Sequence, residues 1–209
     1  MLRAELHVHS SFSDGKDDVR RIVDRAVQLN IDLLSVTDHD TVAGSLEAID
    51  YVRDENLGIS VIPGVEVTTS DGHLLVFGIE REIDRKMSLK ETAEIVKKLG
   101  GICVIPHPFQ FERKGVLRTE LFRYADGVEV FNAKYIVGIF NWIARRYAIR
   151  YGKPFTAGSD AHSVDELGYG ITLLDGDLYS SLERRKTGVD GRRLPLGVWI
   201  RSSLKRRIQ

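Results

Sequence analysis

Short apolar segments of strand length alternate with stretches of helical periodicity along most of the chain. In the strand-like segments apolar residues alternate or run together, whereas in the helix-like stretches they recur every third or fourth residue. The expected strands are residues 3–9, 31–37, 59–67, 73–79, 102–105, 127–131, 155–158 and 171–174. The expected helices are 19–29, 42–55, 89–99, 119–124 and 136–151, with one more after the last strand.

Glycine and proline mark the connections between these elements. Gly100 and Gly101 end one expected helix, Asp71-Gly72 predicts a hairpin, and Pro63-Gly64 breaks the third strand. Strands that alternate with helices through short connections are typical of an α/β fold. We therefore expect a single α/β domain with a largely parallel sheet.

The histidines all lie at ends of expected strands. Five lie at or near a carboxyl end, and His73 starts its strand; the six are His7, His9, His39, His73, His107 and His162. Parallel α/β folds collect their chemistry at the carboxyl ends of the strands. If the strands close into a barrel, these side chains should converge on one rim.

Carboxylates accompany the histidines and make a metal site the natural hypothesis. Two imidazoles about 7 Å apart on one strand face can chelate an ion, although two solvent-facing histidines would give the same local pattern. Imidazole and carboxylate without thiolate suit zinc, manganese or iron. Nine candidate ligands are too many for one ion, so three ions are the economical arrangement. The nine are His7, His9, Asp14, His39, Glu66, His73, His107, Asp160 and His162.

The order of these motifs resembles the PHP (polymerase and histidinol phosphatase) superfamily. The motifs are His-x-His with a following Asp, Thr-Asp-His, Gly-Val-Glu, His, Pro-His-Pro, Asn and Gly-Ser-Asp-Ala-His, between residue 5 and about residue 170. The resemblance implies a distorted seven-stranded (β/α) TIM-like barrel. It also implies a phosphoesterase with two or three divalent transition-metal ions, Mn, Zn or Fe.

The resemblance also implies how the ligands are shared. The first set is His7, His9 and Asp160; the second is His73 and His107, joined to the first through Glu66; the third is Asp14, His39 and His162. Some family members have His where this chain has Asp14, which makes the third set the most variable.

Phosphoester chemistry then predicts further roles. Paired cations lower the pKa of a bound water towards ~7, so we expect a metal-bridging hydroxide to attack phosphorus in line. The leaving group needs a proton or a cation, for which Asp40, His162 and a metal-bound water are all open. Lys134 is a candidate catalytic cation for the substrate phosphate. A solvated loop lysine is the alternative.

Substrate contacts are expected from two loops. Asn132 and Lys134 follow the sixth strand, and Arg113, Lys114 and Arg118 follow Pro108. Basic groups beside the aromatic Phe109 and Phe111 could hold a nucleotide or a single-stranded end. The phenylalanines could instead cap the core. Asp38 either orients a neighbouring ligand or caps the next helix.

Composition limits the other functions. Lys plus Arg and Asp plus Glu number 30 each, so no global field attracts nucleic acid or membrane. A single cysteine, Cys103, excludes an internal disulfide framework and fits a reducing compartment. With a strand at the N-terminus and no apolar run of ~20 residues, we expect a cytoplasmic protein without membrane contact. The oligomeric state stays open.

We predict a barrel over residues 1–186 and a basic segment over 187–209 that packs on it or extends from it. The expected substrate is a phosphorylated small molecule or nucleotide, with a nucleic-acid end also possible. A non-catalytic metal-binding or RNA-binding scaffold is the alternative, but such relatives lose ligands and all nine are present here. Amidohydrolases also begin with His-x-His, but they usually bridge their metals with a modified lysine, where this chain has Glu66.

Overall fold

The computed structural model describes residues 1–135, 138–195 and 197–198. Strands and helices alternate in it. The strands are β1 (Leu2–Glu5), β2 (Leu33–Leu34), β3 (Ser60–Val61), β4 (Gly64–Thr69), β5 (Gly72–Phe77), β6 (Ile102–Ile105), β7 (Gly127–Asn132), β8 (Phe155–Gly158), β9 (Gly170–Leu174) and β10 (Thr187–Gly191). The α-helices are α1 (Val19–Gln28), α2 (Ala43–Asp54), α3 (Leu89–Lys98), α4 (Ile139–Arg150) and α5 (Leu178–Glu183), and short 3₁₀ turns cover Phe111–Arg113, Thr119–Tyr124 and Val164–Glu166.

The described strands form two mixed sheets. One has the order β10-β9-β1-β2-β3 and the other β4-β5-β6-β7-β8. Pairs β1–β2, β2–β3, β6–β7 and β7–β8 are parallel, and the other four pairs are antiparallel. The α/β class is confirmed, the expectation of a largely parallel sheet is wrong, and a closed seven-stranded barrel is not confirmed.

Two isolated bridges join the sheets just beyond their strand ends. Val8, after β1, pairs with Ala161, after β8, and His39, after β2, pairs with Glu66 in β4. Both bridges are parallel. The carboxyl ends of β1, β2 and β8 therefore meet next to β4.

The core lies between the sheets and under the helices. One apolar cluster combines Ala4 and Leu6 from the first sheet with Leu75 and Phe77 from the second. Helices α1 and α2 cover one sheet and α3 and α4 the other. Burial of this apolar surface fixes the two sheets against each other and so positions the rim where they meet.

Side-chain caps begin helices α1 and α3, and a glycine follows the end of α3 as predicted. Asp18 caps α1 by accepting from the Arg21 N–H, and Ser88 and Glu91 form a reciprocal capping box on α3. Gly100, at φ +80°, follows the end of α3. None of the described helices is long and apolar enough to cross a membrane.

Several strands differ from the expected bounds. The first expected strand ends at Glu5 rather than residue 9, and the second is reduced to Leu33–Leu34, because beyond these points the chain pairs only through isolated bridges. The third divides into β3 and β4 at Pro63. The expected start of α4 at residues 136 and 137 lies outside the described residues.

Residues 187–191 form β10, which pairs with β9 along its whole length. The sequence there, TGVDG, has too little apolar alternation to indicate a strand. Most of the basic segment after it lies outside the described residues, so the proposed boundary at residue 187 stays a prediction.

Candidate metal centre

The nine expected ligands, here called the inner cluster, lie together around the carboxylate of Glu66. Its Oε1 is 2.9 Å from both His73 Nδ1 and His107 Nε2. Its Oε2 is 3.2 Å from His9 Nε2, 3.2 Å from His39 Nδ1 and 3.5 Å from His7 Nε2. One buried carboxylate therefore faces five of the six imidazoles.

Asp160 and Asp14 complete the inner cluster. Asp160 Oδ1 is 3.5 Å from His162 Nδ1, 3.6 Å from His9 Nε2 and 3.8 Å from His7 Nε2. Asp14 Oδ2 is 3.1 Å from His162 Nε2, on the more exposed side of the cluster. Residues that are distant in sequence thus gather as the strand-end positions predicted.

His73 reaches this rim by a different route from the other histidines. It lies at the start of β5, and β5 runs antiparallel to β4, so Thr68 pairs with His73. The amino end of β5 therefore lies beside the carboxyl end of β4, which explains why a histidine at a strand start joins the others.

The inner cluster is largely removed from water. Glu66, Asp160 and five of the histidines are at most 6% exposed, whereas the side chains of His39 and Asp14 are 30% and 48% exposed. All inner-cluster residues except His7 border a cavity of about 380 Å³. The cavity is lined by His9, Asp14, His39, Asp40, Glu66, Thr68, His73, His107, Glu112, Arg113, Lys114, Asp160 and His162.

Many polar atoms of the inner cluster have no hydrogen-bond partner among the described residues. They are His7 Nε2, both ring nitrogens of His9 and of His73, His39 Nδ1, His107 Nδ1 and Asp160 Oδ1. A buried polar atom without a partner costs about 1–3 kcal/mol, and native structures contain few. Such a concentration of unsatisfied imidazole and carboxylate atoms at one place fits ligation of divalent transition metals.

Groups of ligand atoms within 4.8 Å of one another partly match the expected sets. They are His9, Asp14, His39 and His162; His7, His9 and Glu66; His7, His107 and Asp160; and His39, Glu66 and His73. The expected third set recurs whole, with His9 added. His73 and His107 fall in separate groups although both contact Glu66, so the allocation of ligands to ions stays a prediction.

Opposite charges keep the two buried carboxylates ionised. Burial opposes the charged form of Glu66, but His7 and His73 outweigh it and hold the pKa of Glu66 well below its usual range. Burial likewise opposes ionised Asp160, whose pKa is held well below its usual range by Arg113 and His7. Both groups are therefore available as anionic ligands at neutral pH.

Imidazoles at the site differ in charge. Burial, with the nearby His9 and Lys134, lowers the pKa of His162 to about 3, and burial lowers the pKa of His107. His7 differs: burial favours its neutral form, but the surrounding carboxylates raise its pKa well above its usual range. Because metal ions bind neutral imidazole, occupation of the site would release the proton from His7.

The backbone is unusual where ligands leave the strands. Asp40, His107 and Asp160 have φ values of +56°, +28° and +54°, in or near the left-handed region that non-glycine residues rarely adopt. Strained positions of this kind concentrate at functional sites, where the surrounding structure fixes them. Two of these positions, His107 and Asp160, belong to the inner cluster, and Asp40 borders the same cavity.

A set of carboxylates behind the inner cluster, here called the supporting carboxylates, holds the ligands in place; they are Glu5, Asp38, Glu129 and Glu166. Glu129, in β7, accepts from His7 Nδ1 at 2.9 Å, the His107 N–H at 2.8 Å and Asn132 Nδ2 at 3.0 Å. A Cβ on Gly158 would lie 2.4 Å from Glu129 Oε1, so glycine is required there. Sequence reasoning missed Glu129, although a charged residue inside the apolar run GVEVF was a usable signal.

Of the two roles expected for Asp38, the structure agrees with support of a neighbouring ligand and contradicts the helix cap. Its carboxylate accepts from the Ser10 N–H at 2.7 Å, Ser10 Oγ at 2.6 Å and Ser13 Oγ at 2.5 Å. The N-cap of α2 is instead Val42, without a side-chain cap. Asp38 therefore fixes the loop that carries His9 and Asp14.

Glu166 and Glu5 hold the segment around Asp160 and His162. Glu166 accepts from the His162 N–H at 2.8 Å. Glu5 accepts from the Ser159 N–H at 3.0 Å and the Gly168 N–H at 3.1 Å. Neither residue carried a motif that pointed to it.

Four of the expected catalytic and substrate-binding residues border the cavity, and one of them, His162, is also an expected metal ligand. Arg113 and Lys114 line it from the loop after β6, and the Arg113 guanidinium pairs with Asp160 Oδ2. Asp40 also lines the cavity, and its Oδ1 accepts from the Thr68 N–H at 2.6 Å.

Three other expected residues do not line the cavity. Asn132 is fully buried and donates to Glu129 and Asp160, so it helps to position Asp160. Lys134 lies 2.5 Å from His162 Nδ1 and 3.4 Å from Glu166 Oε2. Arg118, with a side chain 63% exposed, pairs with Asp71 and Glu120. The substrate-binding roles expected for Asn132 and Arg118 stay predictions, although neither residue lines this cavity.

Comparison with known proteins identifies the family. The PHP domain model matches residues 5–153, and a PHP-associated model matches residues 138–185. The chain therefore belongs to the PHP domain family.

Similar proteins include one uncharacterised protein that matches over most of its length and two named enzymes that match over a shorter segment. The uncharacterised protein MJ1587 of Methanocaldococcus jannaschii is 30% identical over 160 residues, covering 71% of this chain and 92% of that protein. A phosphoribosyl 1,2-cyclic phosphate 1,2-diphosphodiesterase of Eggerthella lenta is 38% identical over 36% of this chain and 30% of the relative. The 5'-3' exoribonuclease Rnm of Escherichia coli is 38% identical over 31% of this chain and 22% of the relative. The chain thus matches less than a third of either named enzyme.

A solved structure shows the same fold. It is a two-domain protein of Bacteroides vulgatus described as containing a predicted PHP-like metal-dependent phosphoesterase, with a TM-score of 0.73 at 22% identity. The match covers 91% of this chain and 65% of that one.

Proposed function

We propose that this protein is a metal-dependent phosphoesterase that hydrolyses a phosphomonoester, or the phosphoester of a nucleotide or nucleic-acid end. The observation that carries the proposal is the inner cluster itself, in which unsatisfied imidazoles surround Glu66 and Asp160 beside the cationic Arg113. The PHP family match and relatives named as a phosphodiesterase and an exoribonuclease support it.

The nine inner-cluster residues would hold two or three divalent ions, with manganese, zinc and iron as the candidates that suit their donors. When bound, such ions neutralise charge on a phosphoryl group and lower the pKa of water, which supplies a nucleophile at neutral pH. The bridges between the two sheets support a distorted barrel as the frame for these ligands.

Arg113 is the residue placed to bind the substrate phosphate. Its guanidinium lines the cavity, and Asp160 holds it there. Guanidinium groups bind phosphate through paired hydrogen bonds, so Arg113 would orient a phosphoryl group against the inner cluster. Lys114 adds a second cation at the same wall.

The candidates for proton transfer to the leaving group are residues that border the cavity. Asp40 and His162 both do so. Lys134 contacts His162 from outside the cavity wall, so we assign it to positioning His162 rather than to binding phosphate.

The proposal is tested by loading the protein with manganese, zinc or iron and measuring bound metal and phosphate release. The panel contains p-nitrophenyl phosphate, nucleoside monophosphates, histidinol phosphate and a 5′-labelled oligonucleotide. We expect at least two bound ions per chain and turnover of one substrate class, both lost in Glu66→Gln. If less than one metal ion is bound per chain and no substrate is hydrolysed with any ion, the phosphoesterase hypothesis is rejected in favour of a non-catalytic scaffold.

A further inference from the structure

Two exposed phenylalanines lie within two residues of side chains that line the cavity. All eight phenylalanines of the chain lie within the described residues, and only Phe12 and Phe111 are exposed, at 46% and 78%. Phe12 lies in the loop that carries Asp14, and Phe111 begins the turn that carries Arg113. Single exposed apolar residues are common, but these two both adjoin residues that line the cavity.

Phe111 is held outward by an ordered loop. Phe109, two residues earlier, packs on Phe122 and Tyr147 at centroid distances of 5.9 and 5.4 Å. Tyr135 donates to the Pro108 carbonyl at 2.7 Å, and the Lys114 N–H donates to the Phe111 carbonyl at 3.0 Å. The core-capping role is therefore met by Phe109, and Phe111 contributes no comparable burial.

Phe12 is placed by the supporting carboxylates. Its N–H donates to Ser10 Oγ at 3.2 Å, and Ser10 is itself bound by Asp38. The loop follows β1 of the first sheet, whereas the Phe111 loop follows β6 of the second. The two phenylalanines thus belong to loops from different sheets, and each loop contributes residues to the cavity lining.

We infer that Phe111 and Phe12 form a base-stacking subsite, so that the substrate carries an unpaired nucleobase next to the phosphate held in the cavity. This inference rests on the proposed phosphoesterase function. An aromatic ring beside a cation is the combination that binds single-stranded nucleic acid and nucleotides, with stacking worth about 1–3 kcal/mol per base. Arg113 and Lys114 supply the cations within three residues of Phe111.

The test compares substrates with and without a base. Metal-loaded wild type, Phe111→Ala, Phe12→Ala and Phe111→Trp are assayed on a nucleoside 5′-monophosphate, a 5′-phosphorylated oligonucleotide and ribose 5-phosphate. We expect Phe111→Ala to lower kcat/KM on the base-bearing substrates by about 5- to 100-fold and Phe12→Ala by less. Turnover of ribose 5-phosphate should be unchanged, and Phe111→Trp should retain wild-type rates.

A matched control comes from α4. Trp142 is an aromatic side chain 57% exposed that does not line the cavity, so Trp142→Ala should leave all rates unchanged. Preference for the oligonucleotide over the monophosphate identifies a polymer end as the source of the base, and the reverse identifies a free nucleotide. Equal losses on ribose 5-phosphate, or no loss on any substrate, would overturn the subsite.

A binding assay distinguishes failure of the stacking subsite from failure of the proposed phosphoesterase function. If wild type hydrolyses nothing, binding of a fluorescein-labelled oligonucleotide to metal-loaded protein is followed by anisotropy. Weaker binding by at least about fivefold in Phe111→Ala, restored in Phe111→Trp, would support the stacking subsite without catalysis. Identical binding by wild type and Phe111→Ala would overturn it.

Discussion

The buried carboxylates of the inner cluster, Glu66 and Asp160, and two supporting carboxylates, Glu129 and Asp38, are equally buried but differ in the groups that surround them. Glu66 and Asp160 face imidazole nitrogens, many of which have no hydrogen-bond partner among the described residues. Glu129 and Asp38 instead accept hydrogen bonds from backbone N–H groups and side chains around them. Both pairs are at most 1% exposed.

This difference separates residues that need a ligand from residues that need only the fold. A buried carboxylate that accepts several hydrogen bonds is stable by itself, whereas a group of unpaired imidazoles is not. The inner cluster is therefore the part of the molecule whose stability should depend on metal. The supporting carboxylates should act on metal only through the geometry they impose.

Glu66→Gln is expected to have the largest effect on activity. The substitution keeps shape but removes the charge that faces five imidazoles. We expect loss of bound metal and a fall in kcat of about 10³-fold or more, since metal-dependent charge stabilisation is worth several kcal/mol. Elemental analysis and phosphate release measure the two effects.

Glu94→Gln is the matched control for this substitution. Glu94 lies on α3 with a side chain 55% exposed and does not line the cavity. Its substitution by glutamine removes the same charge from the protein surface. It should retain wild-type metal content and rate. Full metal content in Glu66→Gln would contradict a central role for this carboxylate.

Glu129→Gln should have a smaller effect, which sharpens the distinction between the two groups. The amide can replace one of the two oxygens that hold His7, His107 and Asn132, but not both. Loss of such a supporting partner typically costs about 10–100-fold in metal affinity or activity. Titration with zinc against a competing chelator measures the affinity. A loss as large as that of Glu66→Gln would place Glu129 among the ligands.

The sequence predicted the inner cluster better than its support, for a physical reason. Ligand chemistry restricts residue type, so His7, His9 and His107 could be recognised wherever a strand ended. Supporting contacts depend on which backbone N–H comes near, and this follows from packing between elements. Glu5, for example, reaches Ser159 and Gly168 across the chain.

Dependence on long-range packing also explains why parts of the predicted fold were wrong. Apolar periodicity identified helix α1 and strand β6 because burial determines their pattern. The Asp71-Gly72 hairpin signal correctly predicted that β4 and β5 run antiparallel. Periodicity could not show that β5 and β6, or β1 and β9, are antiparallel, because the relative direction of strands distant in sequence depends on long-range pairing. It missed β10 because an edge strand needs little apolar surface.

Asp38→Asn should reduce the stability of the ligand loop more than the chemistry. The Asp38 carboxylate accepts hydrogen bonds from Ser10 and Ser13. In the asparagine variant the NH₂ group would face one or more of these donors and could not accept from them. We expect a loss of about 1–3 kcal/mol in the free energy of unfolding, measured by urea denaturation of metal-free protein. Metal-loaded protein should lose the ion nearest Asp14 first. Unchanged stability would mean that the loop is fixed by other contacts.

Glu5→Gln is expected to have the smallest effect on activity and to show itself in pH dependence. Burial raises the pKa of Glu5 from 4.5 to about 7, so the native state binds this proton more tightly than the unfolded chain does. Its contribution to stability is complete below pH ~4.5 and is lost as pH rises through ~7. Glutamine resembles the protonated acid and does not titrate.

The free energy of unfolding of metal-free Glu5→Gln, minus that of wild type, should therefore increase from pH ~4.5 to ~7 and stay constant above. Urea denaturation at a series of pH values in the presence of chelator measures this difference. Parallel curves for Glu5→Gln and wild type would mean that Glu5 is already ionised in the native state. Hydrogen bonds from the Ser159 and Gly168 N–H groups would then outweigh its burial.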